Sequence, residues 1–316
     1  VEWFEDVERY LDLDPVQLNY SLLTRSQRIR HENLRERDPL WLESAEKWFQ
    51  EQAGNIKSRT VRAPMFAPFK LREMLLSNRI VVSPMAQYKA KDGCPTEWHF
   101  VHYAERAKGG AALVYTEMTC ISPKGRITPG CPGLYAPEHE NQWQKLTKFI
   151  HEETSAKICC QIGHSGRKGS TQLGWEKMDA PLKENNWPTL SASPVPWSSE
   201  NPIPKELDES DMKLVIDEFI SATKMANRAG FDMIELHAAH GYLISSFISP
   251  KSNIRRDQYG GSLGNRMRFP LRVFKAMREA WPESKPMCVR ISATDWLESE
   301  GVTPDEAVSI AKMFSE

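Results

Sequence analysis

The stretch Phe231–Leu243, FDMIELHAAHGYL, decides how this chain folds. Its first six residues alternate or run apolar at Phe231, Met233, Ile234 and Leu236, the pattern of a buried strand. A helical segment precedes it and stops at Gly230. It ends in His237, His240 and Tyr242, where a strand should give way to a loop. In an α/β barrel the C-terminal ends of the strands carry the chemistry. Two imidazoles and a phenol there suit a site that binds an anionic oxygen and moves a proton. The competing reading is a pair of core histidines packed beside a turn, and the flanking segments decide between the two.

Those segments alternate strand and helix, which signals a parallel α/β architecture. Arg79–Met85 reads as a strand that ends at Ser83-Pro84, where ladder donors are no longer needed. Thr96 caps a helix running to about Lys108, and Gly109-Gly110 terminates it. Ala112–Thr119 is the second strand and Lys157–Ile162 the third, separated by a helix over Glu138–Glu153 that buries Trp143, Leu146, Phe149 and Ile150. A Pro-, Ser- and Trp-rich excursion from Gly163 to about Leu207 has the length of a functional loop. Asp208 caps the helix leading into the fourth strand. After a loop over Ser249–Gly261 come a helix from about Asn265 to Trp281 and a fifth strand, Met287–Ile291. A last helix opens on the capping box Thr303-Pro304-Asp305-Glu306. The fold class is α/β, an incomplete (β/α)₈ barrel with about five of its eight strands.

Composition narrows the function classes. The chain has 316 residues, 40% hydrophobic and 26% charged, with a formal net charge of −1. That balance calls for neither nucleic acid nor a membrane as partner, and no apolar run approaches a membrane span. The six cysteines show no CxxC spacing, so a reducing, cytoplasmic compartment is expected. The chain opens Val1-Glu2-Trp3, without Met or a secretory leader, and reads as a piece of something longer. Residues 1–54 read as helical, with a start at Asp14-Pro15, a break at Asp38-Pro39, and a further helix through Trp41, Leu42, Trp48 and Phe49 ending at Gly54. Residues 55–68 read as a linker and 69–316 as the barrel domain.

At the strand ends stand Met85 and Ala86, Glu117 and Met118, Gln161 and His164, the His237–Tyr242 trio, and Arg290. Gln161 offers both donor and acceptor to an imide edge. Arg290 places permanent charge beside a developing anion. A zinc site of His164, His237 and His240 is a second reading, but it leaves Gln161 and Arg290 without a role and supplies no carboxylate partner. A non-catalytic docking fragment is a third.

In order and spacing, RIVVSPMAQY (79–88), GRITPG (125–130), QIGHSGRKG (161–169), ELHAAHGYL (235–243), SNIRRDQYGGS (252–262) and VRIS (289–292) resemble the Old Yellow Enzyme family of FMN-dependent ene-reductases. The likeness runs from about residue 66 to the end. It implies that FMN is the cofactor, held by Ser83, Pro84, Met85, Ala86, Met118, Gln161 and Arg290, with NADH or NADPH as hydride donor. It further implies that His237 and His240 bind the activating carbonyl of a small-molecule substrate, that Tyr242 protonates the α-carbon, and that Tyr88 closes the substrate side. Ala86 departs from the Cys or Thr common in relatives, and Met118 from Ala. The phosphate of the flavin normally sits beyond the seventh and eighth strands, so the resemblance also implies an open sheet edge and weak FMN retention.

A second resemblance is to the two-headed 2-aminobenzoyl-CoA (anthraniloyl-CoA) monooxygenase/reductases. YSLLTRSQRIRHENLRERDPLWL (20–42) is similar to the end of their monooxygenase half, and GSTQLGWEKMD (169–179) to their reductase half. It implies a CoA thioester substrate, residues 1–54 as the tail of a flavin monooxygenase domain, and FAD in a preceding domain of the parent. A homo-oligomer is compatible with either resemblance.

Overall fold

The computed structural model describes residues 35, 37–51 and 63–316. Contacts divide the chain between Phe69 and Lys70 into two units. Within the first, helix α1 (Pro39–Glu51) is capped by Asp38, whose carboxylate accepts the Trp41 N–H at 2.9 Å. Leu42 and Glu46 are its buried residues, and Arg35 reaches Glu46 at 3.2 Å. The expected helix start at Asp14-Pro15 and the end at Gly54 lie outside the described residues.

In the second unit five parallel strands pair in chain order: β1 (Val81–Val82), β2 (Leu113–Tyr115), β3 (Lys157–Gly163), β4 (Met233–Ala238) and β5 (Met287–Ile291). Their neighbour-to-neighbour order is that of a half-barrel, and β1 and β5 are its two edges. Every residue of β4 is buried and every residue of β5 is half-exposed, as the position of each requires. Helices α2 (Glu97–Lys108), α3 (Pro137–Glu153), α4 (Glu209–Arg228), α5 (Leu243–Ile248), α6 (Leu263–Ala280) and α7 (Pro304–Ser315) follow or separate the strands.

Alternation along the strands separates two environments. Ile158, Cys160 and Ile162 of β3 and Ile234, Leu236 and Ala238 of β4 join Trp143, Phe219, Phe231 and Phe269 in the core beneath the helices. The alternate residues, Cys159, Gln161 and Gly163 on β3, then Met233, Glu235 and His237 on β4, face the other way. Burial of the outward set on the helices is the principal stabilisation of the fold.

Two strands are shorter than their sequences suggest. The first keeps only Val81–Val82. The second stops at Tyr115 because the Thr116 hydroxyl takes the Gln161 N–H at 3.1 Å, replacing a ladder bond with a side-chain one. Pairing with β3 resumes only at Thr119–Cys120. The capping box at α7 is half formed. Thr303 accepts the Glu306 N–H at 3.2 Å, while the Glu306 carboxylate turns to buried Arg266. The start signals at Thr96 and Asp208 hold, the latter with its reciprocal Asp211 partner.

Candidate active site

The site is built at the C-terminal ends of β3, β4 and β5. Register aligns Arg290 with His237, and one layer lower Cys288 with Glu235 and Gln161 with Glu235. Because alternate residues share a face, two tiers line the inner wall: Glu235, Gln161 and Cys288 below, His237 and Arg290 above.

After β4 the chain turns sharply. His240 (φ +61°) and Gly241 (φ +74°) occupy the left-handed region, and Tyr242 N–H returns to Ala239 O at 3.2 Å. Ser292, just past β5, accepts the His240 N–H at 3.2 Å. This fold-back brings His240 Nδ1 to 3.2 Å from His237 Nε2 and sets the Tyr242 ring 4.9 Å from that of His237, centroid to centroid. A left-handed histidine is strained, and such strain concentrates at functional sites.

The hydrogen bonds assign the tautomers. His237 Nδ1 accepts the Ala239 N–H at 3.2 Å, so its proton sits on Nε2, facing His240 Nδ1. Burial first, then His240 and Arg290, holds His237 down to about 3, and His240 is lowered by burial, Arg290 and Lys168. The pair is neutral at pH 7 and donates without carrying charge. Burial raises the Tyr242 phenol, which therefore stays protonated.

Tyr88 and Tyr242 pack on one buried cluster of Met118, Cys120, Ile127 and Cys131, which brings Met118 and both phenols to the same wall. Gly163 forms the floor. A Cβ there would lie 2.8 Å from Met118 Cγ and Sδ and 3.1 Å from His237 Cβ. Ser83, Met85 and Ala86 are exposed and Pro84 half-exposed on the loop after β1. Among the described residues no hydrogen bond ties these four to the His237–Tyr242 turn. His164 stays outside the pair: its Nδ1 accepts the Gly166 N–H at 2.9 Å. No three His, Cys, Asp or Glu side chains converge as a metal set among the described residues.

Residues 64–316 match the family described as NADH:flavin oxidoreductase / NADH oxidase. The chain belongs to that family. An NADH:flavin oxidoreductase of Gibberella zeae is 39% identical over 247 residues, 77% of this chain and 60% of its own length. An NADPH dehydrogenase of Clostridium acetobutylicum is 38% identical over 253 residues, 80% of this chain and 70% of its own. The chain thus spans between 60% and 70% of the length of these two relatives. Among solved structures, morphinone reductase in complex with tetrahydroNAD has a TM-score of 0.67 at 27% identity, covering 78% of this chain and 68% of that one. Old Yellow Enzyme from Pichia sp. has a TM-score of 0.69 at 27% identity, covering 78% and 65%. These neighbours bear out the incomplete barrel and the Old Yellow Enzyme resemblance.

Three residues of this NADH:flavin oxidoreductase family member carry the site's geometry although none of them has a role assigned from sequence, Glu117 alone standing among the strand-end residues. Glu117, 1% exposed, accepts the backbone N–H of Gln87 at 2.9 Å and of Tyr88 at 3.4 Å, pinning the loop after β1, and sits 3.0 Å from His99 Nε2. Tyr88 itself is left-handed (φ +53°). Glu235 was legible in principle, since it lies two residues before His237 on one strand. Lys168 was not. Its ammonium donates to His240 O at 3.2 Å and lies 3.9 Å from the Trp197 ring and 5.4 Å from that of Tyr242, contacts that only the folded chain creates.

Proposed function

We propose that the chain carries the FMN-binding face of an NAD(P)H-dependent reductase of activated C=C bonds in small molecules. The carrying observation is the pairing of His237 and Arg290 above Gln161, with Tyr242 against His237. The donor set fits a flavin ring. Gln161 spends one N–H on Glu235 at 2.7 Å and keeps its other N–H and its oxygen for an imide edge. Arg290 makes no ion pair with a described residue and is left to hold an anionic ring edge. FMN held there would supply the redox chemistry, hydride transfer between NAD(P)H and the substrate.

The protein supplies position and protons. His237 donates its Nε2–H to His240 Nδ1, which fixes the His240 proton on Nε2 and leaves that N–H as the donor for a substrate carbonyl oxygen, whose developing charge it stabilises. The high phenol pKa keeps Tyr242 protonated as the acid for the carbon next to that carbonyl. Met85, Ala86 and Met118 would hold the flavin ring, with Ser83 and Pro84 leading into that side, and Tyr88 would close the substrate side. The six free cysteines suit a reducing cytoplasm.

The relatives carry the names NADPH dehydrogenase and morphinone reductase, which favours a small enone as substrate. A CoA-bound, ring-hydroxylated aromatic acid is the narrower reading. Its support is the sequence of 20–42 and 169–179, and with it come residues 1–54 as a monooxygenase tail and FAD in a parent domain. The test is titration of FMN with the purified chain, followed by NADPH oxidation with a cyclic enone. Quenched flavin fluorescence and enone-dependent oxidation are expected. Unquenched FMN at micromolar protein sinks the flavin reading.

A further inference from the structure

Barrel interiors are filled mainly by branched apolar side chains, yet the lower tier here holds a carboxyl group. Glu235 is 6% exposed. Its Oε1 accepts from Gln161 Nε2 at 2.7 Å and its Oε2 from the Cys288 thiol at 3.3 Å. Tyr115 OH lies 3.6 Å from Cys288 Sγ. With the thiol proton committed to Glu235, the phenol is the donor in that contact. The tier therefore runs in one sense, Tyr115 to Cys288 to Glu235, with Gln161 donating from the opposite side. Burying a carboxyl costs several kcal/mol unless it is hydrogen-bonded, and Glu235 uses both of its oxygens. Burial raises its pKa, against the hydrogen bonds of Gln161 and Cys288 and the field of Arg290.

We infer that Glu235 is the positioning residue for Gln161, fixing which end of its amide faces the flavin. An acceptor-only carboxylate at Oε1 admits just one amide orientation, with nitrogen toward β4. The Gln161 oxygen and second N–H are then presented together, the complement of an imide edge. Without Glu235 the amide has two orientations of similar energy, and only one is productive. This inference rests on the flavin reading above and concerns binding, not the chemical step.

The test is Glu235→Gln, nearly isosteric and able either to donate or to accept, so that it removes the orienting restriction and keeps the packing. FMN affinity is measured by fluorescence quenching, and the visible band of bound FMN is recorded, because hydrogen bonds at the ring edge shift it. About tenfold weaker FMN binding is expected, the worth of one charge-assisted hydrogen bond, with a displaced visible band. In a Gln161→Ala background, Glu235→Gln should weaken binding no further, since the residue it orients is gone. Wild-type affinity and spectrum in Glu235→Gln overturn the inference, and so does an equal loss with and without Gln161. If the wild-type chain itself fails to quench FMN, the flavin reading falls first and this inference with it.

Discussion

Acid should destabilise this protein through imidazoles that folding buries in the neutral form, and His164 is the cleanest case. It is 1% exposed, and burial holds it down to about 4 from 6.5. Its folded pKa lies below its unfolded one, so between those values the unfolded chain binds more protons. Stability then falls as pH drops through that window, and below about 4 no more is lost. From pH 7 to pH 5, linkage gives a loss of about 2 kcal/mol for this ring. His237, held down to about 3 and 3% exposed, adds a similar amount over the same interval. Glu235 and Glu218, whose pKa values burial raises, act with the opposite sign. The whole-protein pH profile therefore mixes signs, and a single-site comparison separates them. In His164→Asn the side-chain oxygen replaces Nδ1 as acceptor for the Gly166 N–H, and nothing titrates. Urea midpoints, followed by far-UV circular dichroism at pH 7 and pH 5, give each protein's loss on acidification. Wild type should lose about 2 kcal/mol more than the variant. Equal losses would refute the assignment of a neutral, buried ring.

Tyr242→Phe should slow substrate reduction by about 10²-fold or more while sparing flavin reduction by NADPH, because only the first needs the phenolic proton; equal slowing of both half-reactions in stopped-flow traces rules out the assigned role. Gly163→Ala should cost about 1–3 kcal/mol, since the added methyl meets Met118 at 2.8 Å and His237 at 3.1 Å. That cost should shrink in a Met118→Ala background, and a melting temperature unchanged by Gly163→Ala would show that the floor is looser than described.

Much of the fold is written in local sequence. Strand β4 is legible because Phe231, Met233, Ile234 and Leu236 are set by burial on both faces. The helix starts at Thr96 and Asp208 are legible because caps act within four residues. The length of β2 was not, since what ends its pairing is a Thr116 hydroxyl bonding to β3, a contact 45 residues away in sequence.

The same division runs through the site. Sequence alone placed His237, His240, Tyr242, Gln161 and Arg290 at strand ends, because side-chain chemistry and strand period are both local properties. Tertiary structure decided what those groups are to one another. The left-handed turn at His240 and Gly241 sets the imidazoles 3.2 Å apart, and strand register seats Arg290 beside His237. Glu117 stood among the strand ends in the sequence, but its hold on the Gln87 and Tyr88 N–H groups, and the place of Lys168 beside His240, came only with contacts between distant segments. Register and packing are long-range quantities, fixed by which strands meet rather than by any single segment.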